Sequence, residues 1–177
     1  FRNAFNTVHR DAILEAVAKH LPELLPFAAS TLSTPSVLQF AGFTLSSEEG
    51  AQQGDPLGPL YFCLIIIELL KAMKSELVLA YLDDVALGDD ADSVLKDFLM
   101  LEAAALRIGL EINRDKCEVI GHTDITRSLF AANNVELREI SSSSVVLLEL
   151  HCQPVQNSTP CLKRSVYKDS LLLSKRL

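Results

Sequence analysis

Two adjacent aspartates, Asp83 and Asp84, are the residues of this sequence that are best suited to chemistry. They interrupt an apolar run, with Leu77–Leu82 before them and Val85–Leu87 after them. Consecutive residues of a flat strand point to opposite faces, so two such carboxylates act on one ligand only where the backbone turns between them. The pattern predicts two strands joined by a two-residue turn, with both acids at its tip. Carboxylates placed there could bind Mg²⁺ and, with a third from a neighbouring strand, form a two-metal centre, whereas the pair alone is also typical of an exposed turn without a ligand.

A glycine-containing loop, Glu48–Asp55, forms a second candidate site ahead of an apolar helix. Gln53 could hydrogen-bond a ligand there, and Gly54 and Gly58 would let the backbone approach it closely. The helix that follows, predicted to run to Lys74, would offer free N–H groups and the positive end of its dipole to a phosphate. Its first half is apolar on every side and should be buried all round. A glycine–proline turn before a core helix is the alternative.

The composition describes a globular chain with an acidic middle. Of 177 residues, 49% are hydrophobic and 22% are charged, which excludes a disordered or fibrous protein. The net charge is −7, and residues 51–120 carry 13 acidic but only 6 basic side chains, which argues against nucleic-acid binding through overall positive potential.

The four cysteines include no CxxC pair and indicate reduced thiols. The longest apolar stretch falls short of the roughly 18 residues of a membrane span, and no signal segment opens the chain, so we expect an intracellular protein of the nucleus or cytoplasm that does not contact membranes.

Hydrophobic periodicity and turn residues predict the elements that must position these sites. The further predicted elements are helices over Asp11–His20 and Pro22–Leu32, a hairpin of Ser36–Phe40 and Phe43–Ser46 joined through Ala41-Gly42, a helix from an Asp92 cap to Gly109, strands at Leu110–Ile112 and Cys117–Ile120, a helix at Ile125–Ala132, and a strand at Val145–Leu150. After that strand the sequence shows no clear period.

The loop and the paired aspartates occur in the order and spacing of two known motifs. The segment Gly50–Phe62 reads GAQQGDPLGPLYF and resembles motif B of reverse transcriptases, the QGDPLGP block of retrotransposons without long terminal repeats, to which LINE elements belong. Ala80–Val85, which begins 21 residues after Pro59, reads AYLDDV and looks like the YxDD motif C of the same family. Motif C alone is short, but the two motifs together are specific.

A third segment, Gly109–Cys117, resembles motif D of this family and reads GLEINRDKC. The lysine of motif D has been proposed as the general acid that protonates the pyrophosphate leaving group. The resemblance gives that role to Lys116. A solvated lysine after a turn is the alternative.

A fourth segment, Phe1–Val8, resembles the latter part of motif A. Phe5 falls on the aromatic position that, in the family, stacks under the incoming sugar and excludes a 2′-hydroxyl, while a core phenylalanine is the alternative. The metal-binding aspartate of motif A would lie one position before Phe1. Of the three catalytic carboxylates of the family, this chain therefore contains only Asp83 and Asp84.

The resemblance implies an incomplete α+β fold, namely a polymerase palm with part of the fingers, in which helices pack on an antiparallel sheet. Residues 1–121 would form the partial palm and fingers, 122–150 a possible end of the palm, and 151–177 an unmatched tail. The implied catalytic residues are Asp83, Asp84 and Lys116, with Mg²⁺ held by the two aspartates. The implied substrate contacts are Phe5, Gln53, Gly54 and Tyr81.

The implied activity is that of an RNA-directed DNA polymerase, a nucleotidyltransferase. In the intact protein its partners would be an RNA template, a DNA primer and deoxynucleoside triphosphates. The alternative is a catalytically inactive remnant of a decayed retroelement, which is favoured by the missing motif A aspartate, the missing initial methionine and the unmatched tail. The sequence leaves open whether this chain is an enzyme, and we expect it to be a fragment that is inactive alone.

Overall fold

Six α-helices and seven β-strands form in the part of the chain that a computed structural model describes, which is residues 1, 4–51, 54–82, 84–121, 123–136, 138–139 and 171–175. The chain divides into two units. Unit 1 contains Phe1–Ala72 and Leu101–Ile112, and unit 2 contains Met73–Met100 and Asn113–Leu177. Helix and sheet are mixed in the manner of an α+β protein, as predicted.

Unit 1 is built around four helices: α1 (Ala4–Thr7), α2 (Arg10–His20), α3 (Leu25–Leu32) and α4 (Gly58–Leu70). Helix α2 packs against both α3 and α4. Its buried side chains Ile13 and Val17 lie four residues apart on one helical face. The two predicted helices are confirmed, with a 3-10 turn at Pro22–Leu24 leading into α3.

Helix α4 is shorter and less completely buried than predicted. It ends at Leu70 rather than Lys74, and Ile67 exposes 43% of its surface although the neighbouring Leu64, Ile65 and Ile66 are buried. The early end has a physical reason, because the backbone N–H groups of Lys74 and Ser75 donate to a side chain, Asp97, instead of to helical carbonyls.

The predicted hairpin is confirmed as strands β1 (Ser36–Phe40) and β2 (Phe43–Ser47), which pair antiparallel. Ala41 and Gly42 both have positive φ, 48° and 83°, as the two central residues of a type I′ turn require. The apolar side chains of both strands are exposed, and those with the largest exposure are Val37, Leu38, Phe40, Phe43 and Leu45.

Unit 2 contains a five-stranded sheet in the order β3-β4-β7-β5-β6. Its strands are β3 (Leu77–Tyr81), β4 (Asp84–Asp89), β5 (Cys117–Ile120), β6 (Arg138–Glu139) and β7 (Leu171–Lys175). All neighbours pair antiparallel except β5 and β6. Ala86 of β4 and Ile120 of β5 are buried in one apolar cluster, against which Leu77 and Leu79 of β3 also pack.

Strand predictions in the second half of the chain were only partly correct. The prediction at Cys117–Ile120 is confirmed. No strand forms at Leu110–Ile112, because the N–H of Leu110 donates to the carbonyl of Ala105 and closes the end of the preceding helix. Conversely β7 arises where the sequence showed no clear period, and the predicted strand at Val145–Leu150 lies outside the described residues.

Helices α5 (Ala91–Leu106) and α6 (Asp124–Ala132) confirm the remaining predictions, with one correction. The cap of α5 is Asp90 and not Asp92, since Oδ1 of Asp90 accepts hydrogen bonds from the N–H groups of Asp92 and Ser93. Gly109, with φ of 80°, follows the end of α5 as expected. Within the described residues, no helix is both long enough and apolar enough to cross a membrane.

Candidate functional site

The YxDD segment forms the hairpin of β3 and β4, but its turn lies one residue earlier than predicted. Tyr81 pairs with Asp84, so Leu82 lies in the turn and Asp84 is the first residue of β4. Burial sets this register, because a shift of one residue would move Ala86 to the other face of the sheet. Leu82 has φ of 52°, a left-handed conformation that is unfavourable for a residue of this size.

Two residues with predicted roles, Tyr81 and Asp84, are described at this end of the hairpin, and they differ in exposure. Asp84 is buried, with 8% of its surface exposed, whereas Tyr81 exposes 59%. A desolvated carboxylate interacts more strongly with a nearby cation than a solvated one does. Asp83 lies outside the described residues, so the geometry of the predicted pair is not defined.

Lys116, the predicted general acid, is exposed at the end of a 3-10 helix (Arg114–Lys116), directly before β5. Leu173 of β7 pairs with Leu87 of β4 on one side and with Val119 of β5 on the other. β4 and β5 therefore run in the same direction on either side of β7, about 10 Å apart where they pair with it. Asp84 is the first residue of β4 and Lys116 directly precedes β5, so both lie at the same end of these two strands.

In unit 1 the motif A segment and the glycine loop lie side by side. The N–H of Ala51 donates to the carbonyl of Phe5 at 2.8 Å, and the N–H of Gly50 donates to the carbonyl of Val8, also at 2.8 Å. A Cβ atom on Gly50 would lie 2.4 Å from the carbonyl oxygen of Phe5, which is far inside contact distance. Only glycine therefore permits this approach of the two segments.

The ring of Phe5 rests on the helix that follows the glycine loop. The centroid of the Phe5 ring is 4.9 Å from that of Phe62 in α4. The ring of Phe1 meets the ring of Phe62 edge-on, with centroids 6.3 Å apart. Phe5 is only half-buried, while Phe62 is fully buried. The ring is thus held in place with part of its surface accessible, and its contact with an incoming sugar stays a prediction.

The start of α4 is partly engaged by its own loop. Oδ1 of Asp55 accepts the N–H of Leu57 at 2.8 Å, and the carbonyl of Asp55 accepts the N–H of Gly58 at 3.0 Å. Two of the donors expected to be open to a phosphate are therefore already used. Gly54 is exposed with φ of 91° and open space around it, so its conformation rather than crowding requires glycine. Gln53 lies beyond the described part of the loop.

Tyr61, one turn into α4, is a fully buried phenol. Its hydroxyl makes no hydrogen bond within the described residues. Burial raises the pKa of Tyr61 above its usual value, the negative charge of Asp55 raises it further, and the nearby hydroxyl of Thr31 only partly opposes them. Tyr61 is therefore neutral at physiological pH.

Two buried charged residues that sequence reasoning missed hold these segments in place. Arg10, the first residue of α2, donates to the carbonyl of Gly50. Oδ2 of Asp97 in α5 accepts the N–H and hydroxyl of Ser75 and the N–H of Lys74, and so fixes the entry to β3. A signal for Asp97 existed, because it interrupts the apolar stripe of its helix between Val94 and Leu101.

The described residues do not by themselves form a metal site. Asp84 offers the oxygen donor that Mg²⁺ prefers, and the chemistry of the predicted ligand set suits that ion. Within the described residues, however, no three His, Cys, Asp or Glu side chains are grouped to hold a metal. Phe5 and Gly54 belong to unit 1, whereas Tyr81, Asp84 and Lys116 belong to unit 2.

Proteins of retrotransposable elements are similar to this chain. It is 27% identical over 144 residues to the Retrovirus-related Pol polyprotein from type-1 retrotransposable element R2 of Popillia japonica, covering 71% of the chain and 24% of that protein. It is 32% identical over 137 residues to the Retrotransposable element SLACS 132 kDa protein of Trypanosoma brucei gambiense, covering 71% of the chain and 12% of that protein. A third relative, the Pol polyprotein from element R2DM of Drosophila melanogaster, is 35% identical over 92 residues, which are 43% of the chain and 9% of that protein.

The chain thus spans a quarter or less of the length of these relatives. No solved structure is significantly similar to it. Residues 1–145 match the family described as Reverse transcriptase (RNA-dependent DNA polymerase). The resemblance recognised in the motifs is therefore confirmed, and this chain belongs to the reverse transcriptase family as a partial domain of the type found in retrotransposons without long terminal repeats.

Proposed function

We propose that this chain is the palm, with part of the fingers, of an RNA-directed DNA polymerase from a LINE-like element. The intact protein would transfer deoxynucleotides to the 3′-hydroxyl of a DNA primer on an RNA template. Membership of the reverse transcriptase family supports the reaction class. The similarity to R2 and SLACS proteins supports a retrotransposon origin.

The observation that supports the proposal is that Asp84 and Lys116 lie at the same end of β4 and β5, two strands of the five-stranded sheet that run in the same direction. A phosphoryl-type transfer needs negative groups that hold cations on one side of the triphosphate and a proton donor near the leaving group. Two strands about 10 Å apart leave room for a triphosphate between a carboxylate at the end of one and a long lysine side chain at the end of the other. The order of these two residues across the sheet therefore suits the proposed reaction.

The roles follow from the chemistry of each side chain. Asp83 and Asp84 would hold Mg²⁺, which supplies charge neutralisation to the triphosphate. Lys116 would donate a proton to the departing pyrophosphate. Phe5 would contact the sugar face, Gln53 and Gly54 the nucleotide, and Tyr81 the substrate at the hairpin. Catalysis of this kind consists mainly of positioning and electrostatics.

A chimaera tests the reaction. The whole chain, residues 1–177, would replace the matched segment of the Popillia japonica R2 protein, whose own sequence then flanks it on both sides. We expect primer extension on an RNA template, and we expect Asp84→Ala to reduce it by about a thousandfold or more, because a ligand to the catalytic cation is lost. Glu15→Ala, which changes an exposed acid of α2 outside the four motif segments, is the matched control and should retain activity.

The same experiment addresses the alternative, an inactive remnant. The 177-residue chain alone should not extend a primer, because nothing in its composition provides the positive surface that grips nucleic acid. A folded chimaera without activity would favour the remnant. Activity that survives Asp84→Ala would overturn the assignment of motif C.

A further inference from the structure

We propose that Arg10 is a positioning residue that fixes the glycine loop relative to Phe5 and thereby contributes to discrimination between deoxyribonucleotides and ribonucleotides. The inference rests on the proposed function, since it concerns the nucleotide site of that function. It assigns a role to a side chain outside the motif positions that the sequence singled out.

The guanidinium of Arg10 joins three segments that are distant in the sequence. Its Nε donates to the carbonyl of Gly50 at 3.1 Å, its Nη1 to the carbonyl of Thr34 at 3.1 Å, and its Nη2 to the hydroxyl of Ser47 at 3.4 Å. The glycine loop, the connection from α3 to β1 and the end of β2 are thus held by one planar group. Lysine cannot reproduce this arrangement, because its donors radiate from a single atom.

The position of Arg10 is energetically unfavourable in two respects. It is the first residue of α2, where the helix dipole disfavours a cation. The residue is also only 6% exposed, and among the described residues its hydrogen bonds go to neutral acceptors and to no carboxylate. Local rules of this kind are commonly broken where a geometric or functional requirement outweighs them.

Gly50 is held from its other side by the motif A segment. Its N–H donates to Val8, the next N–H donates to Phe5, and the backbones approach too closely for any side chain at Gly50. The carbonyl of the same residue accepts from Arg10. Gly50 is therefore fixed between Phe5–Val8 and the guanidinium, which sets the start of the loop that leads to Gly54.

This arrangement couples Arg10 to the selectivity of the site. The ring of Phe5 is held on Phe62, and the N–H groups of Gly50 and Ala51 stay bonded to the Phe5–Val8 segment. Loss of Arg10 therefore frees the carbonyl of Gly50 and changes the angle at which the loop leaves this contact. Loss of this alignment would change the relative affinity for a sugar with and without a 2′-hydroxyl. Simple destabilisation would instead lower the folded fraction and weaken the binding of both nucleotides equally, which leaves their ratio unchanged.

The test measures that ratio in the full 177-residue chain by equilibrium binding of dATP and ATP in the presence of Mg²⁺. The wild-type chain should prefer dATP. Arg10→Lys should lower the preference by roughly tenfold, in line with the effect of a small misplacement of a binding group. Phe5→Ala should lower it as well. Arg127→Lys, which changes an exposed arginine of α6 in unit 2, should leave the ratio as it is.

The outcomes separate this inference from the proposed function. A wild-type chain that binds neither nucleotide would refute both. Selective binding by the wild type with an unchanged ratio in Arg10→Lys would refute the role of Arg10 alone, and binding without any preference would refute it as well. If circular dichroism shows that Arg10→Lys does not fold, Ser47→Ala removes one acceptor of the fork and should shift the ratio in the same direction by less, and no shift would again refute the role.

Discussion

Gly50 and Gly54 belong to one loop and both adopt left-handed backbone conformations, with φ of 71° and 91°. Their surroundings differ. A side chain at Gly50 would collide with the backbone of Phe5 and Asn6, whereas nothing lies within 4 Å of a side chain at Gly54. The pair therefore separates the two reasons for which a protein requires glycine, conformation and space.

We expect Gly54→Ala to lower the free energy of unfolding by about 1 kcal/mol, the cost of a left-handed alanine. Gly50→Ala should lower it by about 3 kcal/mol or more, because backbone atoms must also move apart. Urea unfolding followed by circular dichroism measures both, and each variant serves as the control for the other. Equal losses would contradict the close approach at Gly50.

At the level of single residues, type and spacing in the sequence singled out the acids, the loop and the lysine, which all lie within the region that matches the family, and their roles stay predictions. They could not reveal Arg10, because its three acceptors are 24, 37 and 40 residues away and two of them are backbone carbonyls. Nor could they place the turn, because burial of Ala86 decides the register of the hairpin.

Helices α2 and α4 are joined by a cluster of charges around Glu68. Nε2 of His20 lies 2.7 Å from Oε1 of Glu68, Nζ of Lys71 donates to the same oxygen at 2.6 Å, and Lys19 donates to Oε2. The hydrogen bond from Lys19, followed by that from Lys71, lowers the pKa of Glu68 from 4.5 to about 2. The carboxylate thus prefers its charged form in the folded chain.

This shift predicts a dependence of stability on pH. Because the folded pKa of Glu68 lies below the unfolded value, its contribution is complete above about pH 4.5 and is lost as the pH falls towards about 2. The free energy of unfolding of the wild type should exceed that of Glu68→Gln at neutral pH, by a small amount because the lysines are exposed. The difference should shrink over that range. A difference that does not vary with pH would show that the cluster is not formed in solution.

Among the elements, helices were predicted best because their periodicity and caps are local. The helices α2, α3, α5 and α6 and the hairpin of β1 and β2 all follow from patterns within about 16 consecutive residues. The strand expected at Leu110–Ile112 failed for a local reason as well, since its first N–H completes the cap after α5. Strand identity depends on a pairing partner, and that partner can be far away in the chain.

At the scale of the whole molecule, that distance is largest for β7. Leu171–Lys175 lies outside the region that matches the family, residues 1–145, yet it occupies the middle of the five-stranded sheet. It pairs with β4 through Leu87, Gly88 and Asp89 and with all four residues of β5. A short apolar run such as Leu171–Leu173 does not by itself distinguish strand from helix. The placement of Asp84 and Lys116 at the same end of β4 and β5 therefore rests on a segment that carries no recognisable signal.

Removal of β7 should disrupt unit 2 and spare unit 1. In a chain of residues 1–170, β4 and β5 would lose the strand between them, and each would have one unpaired side. Such edges exchange their amide protons rapidly and tend to associate with other chains. Hydrogen exchange followed by mass spectrometry should show lost protection in β4 and β5, while α2 and α4 of unit 1, to which β7 contributes no residue, keep theirs.

A chain of residues 1–175, which retains all of β7, is the matched control and should behave as the full chain does. Full protection of β4 and β5 in the 1–170 chain would mean that β7 does not join the sheet in solution, and the proposed placement of Lys116 opposite Asp84 would then lose its basis.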